Sequence, residues 1–432
     1  MKVFYTLLII LIPFIGFGQG WEQTFGGTSA DYGNSIIQID GGYILNGNTA
    51  SDVLDGSVYL IKINDNGNEI WTKTFGFTDD ESISSVRQTS DGGYIIAVDT
   101  NYSFGVDISL IKTDADGNEL WRKKFGGTEE DYCRSVQQTN DGGYIISGST
   151  SSFGSGERDF YLIKTDVIGN ELWSKTYGGV NDDDSFSVQQ TNDGGYIMTG
   201  ASYSFGNGSC DVYLVKTDAS GIEQWSQTFG GVYDDVGYSV QQTNDGGYII
   251  TGLTDLDGNA GYVVYLIKTD GNGNELWSKL FVGNIEAIGT SVQQTNDDGF
   301  IITGTTGSYV NYDYDIYLIK TDASGIEEWS QTFGGTKNEM SGYGNSVQQT
   351  NDGGYILIGT TLSFGNGYED IYVIKTDGNG NITSTFEIPR PNPERKLEKT
   401  INLKGQEIKP HTNQPIIEIF NDGSVEKVLI IE

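Results

Sequence analysis

The chain has 432 residues, 61 of them glycine, and a formal net charge of −34. Aromatic residues reach 12 %, too many for a disordered chain, and a charge of that sign excludes nucleic acid by repelling its phosphate backbone. One His, three Met and two Cys leave little material for His-metal sites, His-based proteolysis or a disulfide scaffold.

Lys2, the apolar run Val3 to Phe17 and the small residues Gly16 and Gly18 follow the order of a secretory signal. Cleavage after Gly18 is expected, with a mature chain that is secreted or held at the outer cell surface. The apolar run is short for a membrane span, which needs about 20 residues.

From there the chain repeats. Tryptophans fall at Trp21, Trp71, Trp121, Trp173, Trp225, Trp277 and Trp329, spaced 50, 50, 52, 52, 52 and 52 residues apart. Between them the same phrases return: Phe-Gly-Gly, an acidic turn, Ser-Val-Gln-Gln-Thr-Asn-Asp-Gly-Gly-Tyr-Ile-Ile, a Ser-Phe-Gly loop, and Tyr-Leu-Ile-Lys-Thr-Asp-x-x-Gly-Asn-Glu-Leu-Trp. A degraded copy, Asp297-Asp298-Gly299-Phe300, completes the seven. Each unit holds four strand candidates and no helical period, for example Ser135–Thr139, Tyr144–Gly148, Tyr161–Thr165 and Glu171–Thr176. Four antiparallel strands repeated seven times predict an all-β chain, a seven-bladed β-propeller of four-stranded blades. One indole per blade at a fixed strand position reads as packing between blades. Lys112 and its equivalents are expected to pair across the hairpin with acids such as Glu119.

The residues 21–387 contain no proline, as continuous sheet requires. Pro389, Pro391 and Pro393 then mark a linker. The expected organisation is a signal peptide at 1–18, the propeller at 19–387, a linker at 388–394 and a short C-terminal β segment at 395–432. Trp21-Glu-Gln-Thr-Phe25 has no third strand of its own and suits a closing strand for the last blade, in competition with Ile382–Phe386.

The third and fourth strand phrase, Tyr161 to Trp173, resembles the repeat of quinoprotein-type propellers. The whole unit is similar to bacterial β-propeller repeats of secreted proteins without an assigned function. That resemblance implies a fold and no activity. Kelch repeats place their glycine pair after the apolar strand, whereas Gly142-Gly143 precede it. Sialidase boxes put Trp three residues after the turn glycine, whereas Gly117 stands four before Trp121. The tail, from Arg395 through Asp422, Gly423, Lys427 and Ile430, resembles the C-terminal sorting domain of type IX (Por) secretion cargo. It implies passage across the outer membrane by the type IX machinery.

Candidate chemistry lies on the face that carries the turns entering each first strand. An acid is expected four residues before that strand in five units: Asp31, Glu81, Asp131, Asp183 and Asp235. Ala287 and Gly342 are read as the equivalents in the sixth and seventh. Such an open acidic arc suits Ca²⁺, a sugar or a cationic ligand, or simply accepts hydrogen bonds from turn amides. The gap in the arc coincides with Tyr309, Tyr312 and Tyr314 in the sixth unit and three extra residues around Met340 to Asn345. Clustered tyrosines suit sugar stacking. The Asp114-x-Asp-Gly117 run is read as a hairpin turn, and Cys133 and Cys210 as two free thiols. His411 lies in the tail, so no Ser-His or Cys-His arrangement forms on the repeats. A glycosidase needs only two carboxylates, and nothing singles out a pair. The sequence thus favours a non-catalytic scaffold that binds an extracellular glycan or protein, over a glycan-active hydrolase.

Overall fold

A computed structural model describes residues 20–50, 57–76, 81–102, 105–258, 261–283, 286–308, 313–342, 346–366, 368–382, 397–402, 415–420 and 425–429. Among these residues the secondary structure is strand without helix. Seven antiparallel sheets form a seven-bladed β-propeller. Blade 1 runs Asp31–Ile39, Gly42–Thr49, Ser57–Asn64 and Glu69–Phe75, and blade 3 runs Asp131–Gln138, Tyr144–Thr150, Asp159–Thr165 and Glu171–Tyr177. The first strands of the blades surround a hub cavity of about 170 Å³.

Blade 7 is closed by the far end of the chain. Trp21–Phe25 pairs antiparallel with Asp370–Thr376, Trp21 opposite Lys375 and Phe25 opposite Ile371. Its inner strand is split into Glu339–Ser341 and Val347–Gln349, both on Tyr355–Thr361, because the extra residues of this repeat interrupt the ladder.

The second and third strands of blades 3 and 4 are buried along their whole length, so they read as nearly continuous apolar runs. The core is correspondingly divided into seven clusters, each lying between two neighbouring blades. Ile145, Phe160 and Leu162 of blade 3, for instance, meet Val188, Tyr196 and Met198 of blade 4. The half-buried tryptophans cap these clusters. Trp121 meets Tyr144 of the following blade edge-on, with ring centres 5.9 Å apart. It also lies over Gly169, whose φ of +79° and lack of Cβ are both required, since a Cβ there would stand 2.6 Å from the indole. The same Trp, Tyr and Gly meet at other blade boundaries, including Trp21 on Tyr43 and Gly67 across the ring seam.

Every complete inner strand carries a bulge, at Arg134 in blade 3, where the register shifts between Cys133 and Ser135. The strand therefore begins at Asp131 rather than at Ser135. The bulge breaks the period-two alternation, which is why the sequence pattern starts the strand late. Residues 1–19, with the expected signal, lie outside the described residues. Residues 384–432 form a separate unit, in which Leu397–Asn402, Pro415–Phe420 and Val425–Leu429 make a three-stranded antiparallel sheet. Lys427 stands opposite Ile417 there, while Asp422, Gly423 and Ile430 lie outside the described residues.

Asp298 is the one non-glycine residue with positive φ among those described (+63°). It occupies the left-handed position that Gly142 and its equivalents fill in other blades. A Cβ costs roughly 1 kcal/mol there, less for Asp than for most residues. Asp298→Gly is expected to raise the unfolding free energy by about 0.5–1 kcal/mol in denaturant titration. An unchanged or lower midpoint would show that the Asn244 contact to Asp298 Oδ1, at 3.1 Å, outweighs the strain.

Candidate functional site

The acids of the arc are the first residues of their strands and are buried. Asp31, Asp131 and Asp183 are 0 % exposed and Asp235 1 %. Each accepts the backbone N–H of the residue four before it, at 2.7 Å: Gly27, Gly127, Gly179 and Gly231. Asp131 also takes the hydroxyls of Thr150 and Ser152. These carboxylates tie the Phe-Gly-Gly turn to the strand ends, the hydrogen-bonding role weighed in the sequence. Glu81 begins its strand opposite Thr100, and its side chain lies outside the description.

Across the first glycine of that turn sits a second acid, from the start of a third strand. A Cβ on Gly178 would collide with Asp159 and stand 2.7 Å from Asp183 Oδ2. Burial raises the pKa of Asp159, and the neighbouring Asp183 adds to it. Burial likewise raises Asp235, Asp211 and Asp370. Among the described residues no group of three or more His, Cys, Asp or Glu is placed to hold a metal ion.

The seventh blade corrects the sequence alignment. Its acid is Glu339, not Gly342: Glu339 pairs with Thr361 as Asp131 does with Thr150, and accepts the Gly335 N–H at 2.7 Å. The extra residues follow this acid instead of preceding it. Ala287, opposite Thr306, is the true interruption.

At that interruption a cavity of about 280 Å³ opens between blades 1, 6 and 7. Tyr32, Tyr314, Met340, Ile288 and Ala287 give it an apolar lining, and Asn34, Glu286, Thr305, Ser341 and Thr360 supply polar atoms. Tyr32 and Met340 are 41 % and 46 % exposed. Burial raises the pKa of Glu286, and the neighbouring Tyr314 hydroxyl offsets part of that. The floor is held by hydroxyls: Ser341 Oγ lies 2.9 Å from Thr290 Oγ1 and 3.2 Å from Thr305 Oγ1. Sequence reasoning found Tyr314 from its cluster. It missed Tyr32, Glu286 and Ser341, which are far apart in the chain and meet only because blades 6, 7 and 1 are adjacent. Tyr309 and Tyr312 lie outside the described residues.

On the opposite face, the third-strand lysines pair chiefly with the turn before the second strand, and among the described pairs only Lys320 also reaches an acid across the hairpin, Glu328 at 3.0 Å. Lys112 Nζ lies 2.9 Å from Asp91 Oδ2 in the Asp-Gly-Gly turn, and the same ion pair recurs at Lys164–Asp141, Lys216–Asp193, Lys268–Asp245, Lys320–Asp297 and Lys375–Asp352. Glu119 instead meets Arg122 at 2.9 Å. The turn brings the aspartate back over the ammonium, closer than any side chain on the fourth strand. Asp114 accepts the N–H groups of Asp116 and Asn118, so that run is a hairpin turn. Cys133 and Cys210 are buried and form no disulfide, and burial pushes the Cys210 thiol up to about 11.

No family model matches the chain, and no curated protein does. Among solved structures, it is similar to a protein of unknown function from Dyadobacter fermentans DSM 18053, with 9 % identity, 82 % of this chain and 98 % of that chain covered, and a TM-score of 0.48. The polysaccharide lyase Uly1 matches at 12 % identity over 82 % of this chain and 91 % of that one, with a TM-score of 0.49. The extracellular domain of the putative hybrid two-component system BT3049 from B. thetaiotaomicron matches at 14 % identity, 93 % and 48 % coverage, and a TM-score of 0.47.

Two sets of carboxylates set the pH response. For Asp91, Asp141, Asp193 and Asp245, burial favours the neutral acid, but the Thr hydroxyl, the Lys ammonium and the Gly N–H overcome it and hold each at about 2. Their stabilisation is present above the ordinary value of 3.8 and is lost as pH falls through 2. These aspartates are about 60 % exposed, so solvent screens each pair. The buried acids with raised values act oppositely, stabilising the fold at low pH and losing that as pH rises through their folded values. Thermal melting from pH 2 to 8 is therefore expected to peak in the mildly acidic range above pH 4, falling steeply below and gently above. A melting temperature that climbs steadily from pH 4 to 8 would refute this assignment.

Proposed function

We propose that the chain is an exported, non-catalytic propeller that binds a glycan through the cavity between blades 1, 6 and 7. One observation carries this reading. The cavity is where the repeated carboxylate is replaced by Ala287 and the inner strand of blade 7 is interrupted, so an otherwise periodic face gains a single tyrosine- and methionine-lined recess. Two phenol rings in its lining supply apolar surface for the C–H side of a sugar, while Glu286, Asn34 and Ser341 supply polar atoms for its hydroxyls. A volume of about 280 Å³ suits one sugar residue. A protein partner would instead need a buried area of roughly 1,000 Å² or more. The Lys2-to-Gly18 leader and the 395–432 tail support export, with the type IX machinery as the partner of the tail.

The raised pKa of Glu286 favours one other reading, a glycan hydrolase with Glu286 as general acid. Hydrolysis requires a second carboxylate across the scissile bond, and Glu286 is the carboxylate among the described lining residues.

The test is a glycan array probed with the purified chain, in Ca²⁺ and in a chelator, followed by titration of any hit. Tyr314→Ala and Tyr32→Ala are each expected to weaken binding about tenfold, or about 1.4 kcal/mol. No retained glycan, or two variants that bind like the parent, would overturn the proposal. Reducing-end release from the bound glycan, abolished by Glu286→Gln, would establish the hydrolase instead.

A further inference from the structure

The hub of the propeller is held by a glutamine clasp that is missing at two of seven boundaries, where the accepting position is Ile37 in blade 1 and Arg87 in blade 2. In five blades, the first Gln of the Ser-Val-Gln-Gln phrase accepts the backbone N–H of the second Gln in the next blade. Gln137 Oε1 takes the Gln190 N–H at 2.7 Å, and Gln348 Oε1 takes the Gln38 N–H at 2.7 Å. The same contact recurs at the other three boundaries, at 2.5–2.6 Å. In blade 2 this position is Arg87. The residue that would accept from the Gln138 N–H has only donors to offer.

Arg87 lines the hub cavity of about 170 Å³, whose other walls are glutamine, serine, isoleucine and valine. Its Nη1 donates to the Val86 carbonyl at 2.7 Å and reaches Ser85 Oγ at 3.4 Å. Among the described residues no carboxylate lines this cavity, and Arg87 enters no ion pair. Burial lowers its pKa to about 10, which leaves it charged at neutral pH. Arg87 is partly exposed, but a cation drawn into a cavity without a counter-charge is still costly, and the Gln138 N–H, whose equivalents this position serves in other blades, lies on the adjoining inner strand.

We propose that the hub binds one small monovalent anion, of halide size, between the Arg87 guanidinium and the backbone N–H of Gln138. A single positive charge is neutralised by a single negative one. A doubly charged oxyanion would leave a net buried charge and is disfavoured. The −34 charge of the chain works against any anion at long range, but at physiological salt the Debye length is about 8 Å, so the nearest charges decide.

Arg87→Gln is an apt variant, because Gln fills this position in five other blades and restores the clasp. Crystals of the full chain soaked in sodium bromide are expected to show an anomalous scattering peak beside Arg87, absent from Arg87→Gln. In solution, exchanging sodium gluconate for sodium chloride at constant ionic strength is expected to raise the melting temperature of the parent by about 1–3 °C, and to leave the variant unmoved. A parent structure without bromide at Arg87, or an equal chloride response in the variant, would overturn the proposal. So would a bromide peak without any chloride response, which would mark an adventitious ion only.

Discussion

The structure depends on burying both faces of a small sheet. A blade of four short strands has no core of its own, and its apolar side chains are covered only by the blades before and after it. The indole of each fourth strand fixes that relation, because it meets a tyrosine, or Phe300 at one boundary, at a steep angle and lies over a turn that only glycine can make. Ring closure follows from the same requirement. An open array would leave two apolar faces in water, so Trp21 has to perform for blade 7 what the other tryptophans do for theirs.

Periodicity also determines where novelty is visible. The buried carboxylates at the strand starts repeat with the blades and serve the turns beside them, so their number speaks of architecture. Ala287 and the interrupted strand of blade 7 break the period at one sector and open a recess there. Arg87 breaks it in the hub, where the glutamines of five other blades accept hydrogen bonds that it cannot. Both departures remove an acceptor from a repeated motif, and each stands at a cavity.

Much of this was legible in the sequence, because a repeat read seven times averages out local ambiguity. The strand count, the hairpin turns at Asp-Gly-Gly and Thr-Asp-x-x-Gly and the spare strand at Trp21 all follow from residue order. Four features were not. The bulge at Arg134 resets the alternation and hides four residues of strand. The extra residues of blade 7 can be aligned on either side of Glu339, and only its backbone partner decides. The lysines have acids available both across the hairpin and in the turn, and the choice rests on how sharply the turn returns. Tyr32 could not be joined to Tyr314 from sequence, since nearly the whole ring separates them along the chain.

The seam at Trp21–Phe25 has a consequence for synthesis. The strand that closes the ring leaves the ribosome first and its partner, Asp370–Thr376, leaves about 350 residues later. At 5–20 residues per second, that interval is roughly 20–70 s. Throughout it the nascent chain is an unfastened array, pliable and unable to reach its final shape however many repeats have emerged.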